Sequence, residues 1–472
     1  MVTTNKQENT FTAELARRAL AVSLGSLSDD VIELSRQCVL DWLGVTLVGA
    51  AEPLTASLAA VLRLEGGTAG SVAVIGRSEK LGCIDAALLI GTASHAIDYD
   101  DVNFSIPGHA SAPVLAAALA LGEATGASGR QVLEAFIAGY ETSCRVGTLV
   151  APEHYEMGFH ATATVGTFGA AAACAKLLGL DVTRFAHAIG IAATRAAGLK
   201  SSFGTSCKPL QCGNAASAGV FAALLARQGF DAPADALGHR LGFAATHART
   251  SNADIALNTP GLVRDFSQQP SVGRDAGAHH LHFNLFKFHA ACYETHSAIE
   301  CALKIRDSLD HHAAAEIEAV RILVNPHCND ICNIQTPQTS LETKFSLRMA
   351  AAFALANVPT ASPASFSIEM ASRPDVVALH ARIAVELTDK VAMPENVMLV
   401  TLKNGNVLRA AHDSSMPETD IIKQGGRVSA KFLDLATGVI GREASERACQ
   451  AISNLDSLPS IDALMSLVSL KA

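Results

Sequence analysis

A mainly helical fold, with a large all-helical domain and a smaller α+β domain carrying an antiparallel sheet, is the architecture this sequence predicts. Three observations carry the prediction. Hydrophobic residues make up 49% of the 472 and charged residues 17%, so most of the chain can bury itself, and disorder is excluded for most of its length. Aromatics are only 5%, while alanine and glycine abound, which favours helices that approach one another closely. Apolar periodicity is helical almost without relief from Thr10 to about Phe230, and strand-like alternation gathers beyond about Gly261.

The elements follow in order. Ser28 ahead of Asp29 and Asp30 reads as an N-cap with acids in the first turn, opening a helix that runs to about Gly49. Gly66, Gly67 and Gly70 bracket a loop before the short strand-like run Ser71 to Ile75. Further helices are expected at 83–97, 111–125, 161–178, 182–196 and 211–228, and Ser128 to Gln131 reads as a capping box for a helix reaching Val150. Residues 264–288 are loop-rich and polar, followed by a helix from 289 to about 308. Ile317 to Val324 alternates as a strand should, as does Arg382 to Leu387 with Ile383, Val385 and Leu387 on one face; a helix near 342–356 lies between them. Val397 to Lys403 and Val407 to Ala411 flank Asn404-Gly405, the strongest hairpin signal in the chain. From about Ser429 to Leu470 the pattern is helical again. The domain division read from this is 1–264, 265–412 and 413–472.

Composition excludes several functions. The net charge is −9 and no basic run occurs, so nucleic acid is not an expected partner. Eleven cysteines, mostly isolated in apolar helical stretches, point to reduced core thiols rather than a disulfide framework. Cys328 and Cys332 beside His327 lack the further ligands a structural zinc site needs. Met1 to Glu8 is polar, and apolar stretches such as Ala110 to Gly122 are too short to span a bilayer, so a cytoplasmic protein with no membrane partner is expected.

Four polar islands interrupt the apolar background. The first runs from His95 through Asp98, Tyr99, Asp100 and Asp101 to His109; acids at a helix C-terminus are electrostatically awkward and are either solvated or retained for a purpose. The second is Gly158-Phe159-His160-Ala161-Thr162, where a histidine stands before a helix of small residues. The third is Gly204 to Gly213, in which Lys208 and Pro209 open a helix and offer a cation beside unpaired N–H groups, a cradle for a carboxylate. The fourth is Phe286 to His296, with Lys287, Tyr293 and His296. The other histidines, including His311, His312 and His327, read as surface residues.

Taken in order, Asp98-Tyr99-Asp100-Asp101 with His109, Gly158 to Ala163, Gly204 to Leu210 and Lys287 to His296 resemble the MmgE/PrpD family over nearly the whole chain. The resemblance implies a helical domain built from both chain ends, a smaller α+β domain, a homodimer, and neither metal nor organic cofactor. It places Asp98, His109, His160, Lys208 and Lys287 in an inter-domain active site. It implies proton movement at the carbon beside a carboxylate of a small polycarboxylate: dehydration of 2-methylcitrate, decarboxylation of cis-aconitate or epimerisation of iminodisuccinate.

Such a carbon is a poor acid, so the enediolate-like charge needs fixed cations and the proton needs a group that titrates near neutrality. Lys208, Lys287 and His296 are the candidates for holding the substrate's carboxylates. His109 and His160 are the candidates for moving the proton, with Asp98 orienting a neighbour and Tyr293 as an opposing acid. Many family members carry Thr after the acidic cluster and His-Pro-Ser further on; Val102 and His109-Ala110-Ser111 stand here, and Cys292 replaces a His found in some. These departures make epimerisation of iminodisuccinate the leading expectation, with dehydratase- or decarboxylase-type lyase activity as the alternative. An Mg²⁺-dependent isoprenoid-type enzyme is a remoter reading that lacks a second acidic motif; a non-catalytic binding protein is the other.

Overall fold

A computed structural model of the chain describes residues 10–64, 70–258, 279–309 and 313–470. The opening residues, the loop expected around Gly66, the stretch up to 278 with the first expected domain boundary, and the His311-His312 pair lie outside them.

The first part of the chain folds as α1 (Phe11–Ala21), α2 (Asp29–Gly49), α3 (Pro53–Leu64), the small ladder β1 (Val72–Ala73) with β2 (Lys80–Leu81), α4 (Cys83–His95), α5 (Ser111–Thr125), α6 (Gly129–Val150), α7 (Ala161–Leu177), α8 (Val182–Ala193) and α9 (Cys207–Arg227). Local chemistry explains their ends. The Ser128/Gln131 capping box is formed at the start of α6. Ser28 occupies the N-cap of α2 without a cap bond, its hydroxyl turning instead to Asp30. Gly126 ends α5 with φ +67°, a left-handed conformation glycine adopts without cost.

The next part carries α10 (His296–Ser308), β3 (Ile317–Val324), α11 (Leu347–Leu355), β4 (Ile383–Leu387), β5 (Asn396–Leu402) and β6 (Val407–His412). The strands form one sheet in the order β4-β3-β5-β6. Pairs β3/β5 and β5/β6 are antiparallel, the latter closed by the Asn404-Gly405 turn with Gly405 at φ +85°, whereas β3/β4 is parallel. The helix expected from 289 starts only at His296, because the amides of Ala290 and Cys292 bond the carbonyls of Thr360 and Lys344 instead of building a helical turn. On edge strand β4 the supposed apolar face is only partly covered: Ile383 is buried, yet Leu387 is 43% exposed. The chain closes with α12 (Ile421–Ile440), α13 (Arg442–Ser453) and α14 (Asp462–Val468).

Two compact units result: residues up to Phe286 together with Glu418 onward, and Lys287–Pro417. The first boundary falls later than 264/265 because residues 280–286 are tied to the helical unit. Val102 and Leu285 exchange backbone bonds of 2.9 and 2.8 Å, and Asn103 donates to the His280 carbonyl.

Within the helical unit α9 packs along α4 and α7, α7 along α5 and α6, and α12 along α2. The α4/α9 contact positions the site. A Cβ on Gly213 would lie 2.2 Å from the Leu88 carbonyl oxygen, and one on Gly91 2.9 Å from Gly213 Cα, so glycine at both positions lets the backbones touch. This brings the C-terminal end of α4, with the acidic residues that follow it, to the N-terminal turn of α9, with Lys208. Among the described residues no single helix is long and apolar enough to cross a membrane.

Candidate active site

All three aspartates of the first island are buried rather than solvated, at 3% exposure for Asp98, 0% for Asp100 and 1% for Asp101. Each has found a partner that local sequence does not announce. Asp98, whose backbone takes the left-handed φ of +53°, accepts a 2.6 Å hydrogen bond from Lys208 Nζ. His109 Nε2 lies 3.8 Å from the same Asp98 oxygen. Asp100 sits between two imidazoles: His95 Nδ1 is 2.9 Å from Oδ2, and His109 Nδ1 is 3.0 Å from it. Burial works to raise the Asp100 carboxyl, but His109 and His95 together outweigh it and hold the group well below the usual carboxylate range. The rings of His95 and His109 meet edge to face at 4.4 Å, and His95 stacks at 6.0 Å on His160.

His160 is the N-cap residue of α7 and 2% exposed. Its Nδ1 lies 2.8 Å from Gln211 Oε1. The Gln211 amide is oriented by Leu199, whose N–H donates to Oε1 and whose carbonyl accepts from Nε2. Oε1 therefore faces His160, Nδ1 must carry the hydrogen, and Nε2 is left with its lone pair. Burial, reinforced by His95 and Lys208, pushes the His160 pKa well down, so this imidazole is neutral at pH 7. Phe203 closes this side, its ring 5.1 Å from that of His160 and 5.4 Å from the Lys208 ammonium.

Four residues of the expected site, Asp98, His109, His160 and Lys208, thus gather in one cluster of the helical unit. Lys208 differs from its expected role in one respect: in this structure its ammonium meets a carboxylate of the chain itself. His95, Asp100, Phe203 and Gln211 complete the cluster; His95, Asp100 and Gln211 lie within the polar islands but were assigned no role, and Phe203 lies outside them. Two had a readable signal. Gln211 stands three residues after Lys208, on the same helix face, and His95 lies one turn before Asp98.

In the other unit Lys287 is 1% exposed, and burial, partly opposed by Lys287, pushes the Glu294 carboxyl up to about 7. The Tyr293 hydroxyl donates a 2.5 Å bond to the Ser414 carbonyl, and burial pushes its pKa further up, so this proton is held rather than offered. The His296 ring packs against Tyr293 at 4.7 Å and His289 at 5.0 Å.

His95, Asp98, Asp100 and His109 offer ligand atoms all within 4.8 Å of one another, a donor set suited to a divalent ion. The Lys208 ammonium already pairs with Asp98, and Asp100 lies within 3.0 Å of a ring nitrogen of each of His95 and His109; burial foremost pushes the His95 pKa down to about 4, so that imidazole meets Asp100 as a neutral hydrogen-bond partner. All eleven cysteines are free, and Cys328 and Cys332 are buried.

Asp101 titrates in the opposite sense to Asp100. Burial foremost, then the nearby Asp41 carboxylate, raises its pKa to about 7, while Ser111 Oγ donates to it at 2.5 Å. A raised carboxyl pKa means the folded state holds the proton more tightly than the unfolded chain. Its contribution to stability is complete below about pH 4 and is lost as pH rises through about 7. Asp101→Asn carries no such charge, so the melting temperature of the variant relative to the parent is expected to rise between pH 5 and pH 8. A difference that does not change with pH would mean Asp101 ionises as it does in water.

A helical unit with a buried cluster of histidine, aspartate and lysine, in a chain that also carries an α+β unit, defines the class. The chain belongs to the MmgE/PrpD family: the family's N-terminal domain matches residues 13–256 and its C-terminal domain residues 289–457. Among curated relatives it is similar to the cis-aconitate decarboxylase of Aspergillus terreus (strain NIH 2624 / FGSC A1156), 26% identical over 97% of this chain and 96% of the relative. The Homo sapiens cis-aconitate decarboxylase is 27% identical over 97% and 94%. The cis-aconitate decarboxylase-like protein oryM of Aspergillus oryzae is 29% identical over 68% and 67%. These names favour the lyase alternative and lend no support to epimerisation of iminodisuccinate. Of the departures that pointed to epimerisation, Val102 is a buried residue whose main chain pairs with Leu285, Ala110 is the N-cap of α5, and Cys292 is buried.

Proposed function

We propose that this chain is a lyase that decarboxylates a small unsaturated tricarboxylate of the cis-aconitate type. The observation that carries the reading is the cluster itself, a buried cation on Asp98 beside two histidines whose ring nitrogens are differentiated by Asp100 and Gln211. The names of relatives matching nearly end to end support the choice of lyase.

The chemistry balances without an added reactant. The C–C bond to the carboxylate on the saturated carbon breaks and CO₂ leaves. The electron pair moves through the neighbouring double bond to the carbon beside a second carboxylate, and that carbon takes a proton. Charge develops as an enediolate, which Lys208 stabilises once the substrate carboxylate competes for it with Asp98. His109 supplies the proton from Nε2, with Asp100 beside Nδ1 as counter-charge to the imidazolium. Neutral His160 presents the lone pair of Nε2 as an acceptor, its Nδ1–H being taken by Gln211. Lys287 and His296 are proposed to bind carboxylate. Tyr293 is left a structural part, its proton being held by Ser414.

The test is incubation of the purified protein with cis-aconitate. Loss of substrate matched mole for mole by CO₂ is expected, and in D₂O one deuterium is expected at the carbon beside a carboxylate. EDTA is expected to leave the rate unchanged. Absence of CO₂, with deuterium entering an amino-polycarboxylate that keeps all its carboxylates, would return the reading to epimerisation.

A further inference from the structure

Lys431, on α12, is remote in sequence from every residue of the cluster. It sits directly beneath the acidic cluster. Its Nζ donates at 2.7 Å to Asp41 Oδ1 on α2 and at 2.8 Å to the carbonyl of Tyr99, the residue between Asp98 and Asp100. The ammonium also lies over the Tyr99 ring, 3.8 Å from its centre. The side chains of Lys431 and Asp41 are 5% and 0% exposed.

Stability alone accounts poorly for this pair. Removing two such charges from water costs several kcal/mol for each ion, and an apolar pair of similar volume often stabilises as well or better. Geometry supplies a different reason. Asp98 is held in a left-handed conformation that non-glycine residues seldom adopt, and the next carbonyl along the chain must point inward for Asp98 and Asp100 to reach Lys208 and the two imidazoles. An ammonium fixed by Asp41 is the donor that holds this carbonyl. The segment following the α+β unit in sequence therefore reaches the site from beneath. We infer that Lys431 and Asp41 are positioning residues for the reaction, locking the Asp98–Asp101 turn in the shape that sets the orientation of Lys208 and His109. This rests on the proposed function for its kinetic consequence, but not for its geometric one.

Two readouts separate those consequences. In Lys431→Met, kcat for cis-aconitate is expected to fall on the order of 10- to 100-fold, the penalty of a small misplacement, with KM within about twofold because Lys431 does not touch substrate. Independently of any substrate, the imidazole ¹⁵N resonances of His95 and His109, assigned by comparison with His95→Gln and His109→Gln, are expected to shift as their contacts to Asp100 loosen. Lys431→Arg, which keeps a cation and donors, is expected to recover part of both signals. A folded Lys431→Met protein with unaltered imidazole resonances would overturn the inference, whatever its activity. Should Lys431→Met not fold, Asp41→Asn carries the same two measurements under the same criterion. If the parent fails to turn over cis-aconitate while the resonances shift in the variant, the functional reading falls and the positioning role stands.

Discussion

Lys208→Ala is expected to lower turnover of cis-aconitate by roughly 10²- to 10³-fold, the usual cost of removing a preorganised group that meets developing charge. KM should rise as well, since the same ammonium attracts a substrate carboxylate before reaction. The substitution has a second effect that must be separated from the first. It leaves Asp98, 3% exposed, without the partner 2.6 Å away, and removing one member of a buried pair costs about 3–5 kcal/mol. The double variant Lys208→Ala/Asp98→Asn should recover much of that stability, because the uncompensated charge is gone, yet recover no activity. Thermal melts and steady-state kinetics on the four members of this cycle give the coupling directly. Full activity in Lys208→Ala would remove Lys208 from the site.

His109→Gln is expected to reduce kcat by about 10²- to 10⁴-fold, the range for loss of a positioned proton donor or acceptor. Glutamine is polar and of comparable length, so the packing against His95 should suffer less than with alanine. Product formed slowly in D₂O by the variant would show whether the proton still arrives on one carbon face. Loss of stereochemical control would mean that water has replaced His109 as donor, whereas an unchanged rate would assign the proton to another group. His160→Gln provides a contrast: its Nδ1 contact to Gln211 orients the ring, so the variant tests the Nε2 lone pair rather than the counter-charge on Asp100.

Much of the fold was open to reading along the chain. Helical periodicity located α2, α5, α7 and α8 to within a few residues, the capping box at Ser128 marked the start of α6, and Asn404-Gly405 announced the hairpin. These features are local: each is decided by side chains within a few residues of one another. The helix expected from 289 started late because its first amides are taken by Thr360 and Lys344, more than fifty residues away. The parallel pairing of β4 beside β3 is likewise non-local and leaves no mark on either strand's alternation.

The candidate site divides along the same line. The sequence alone marked the candidate residues, because titratable groups stand out against an apolar, alanine-rich background and their order along the chain matches a family. Only the tertiary structure decided their state. Whether Asp98, Asp100 and Asp101 formed a solvated turn or a buried cluster depended on Lys208, His109 and Lys431, brought to them by the glycine contact between α4 and α9 and by the return of α12 onto α2. Pairing and desolvation are properties of neighbours in space, and a carboxylate's ionisation is fixed by partners that can lie hundreds of residues away along the chain.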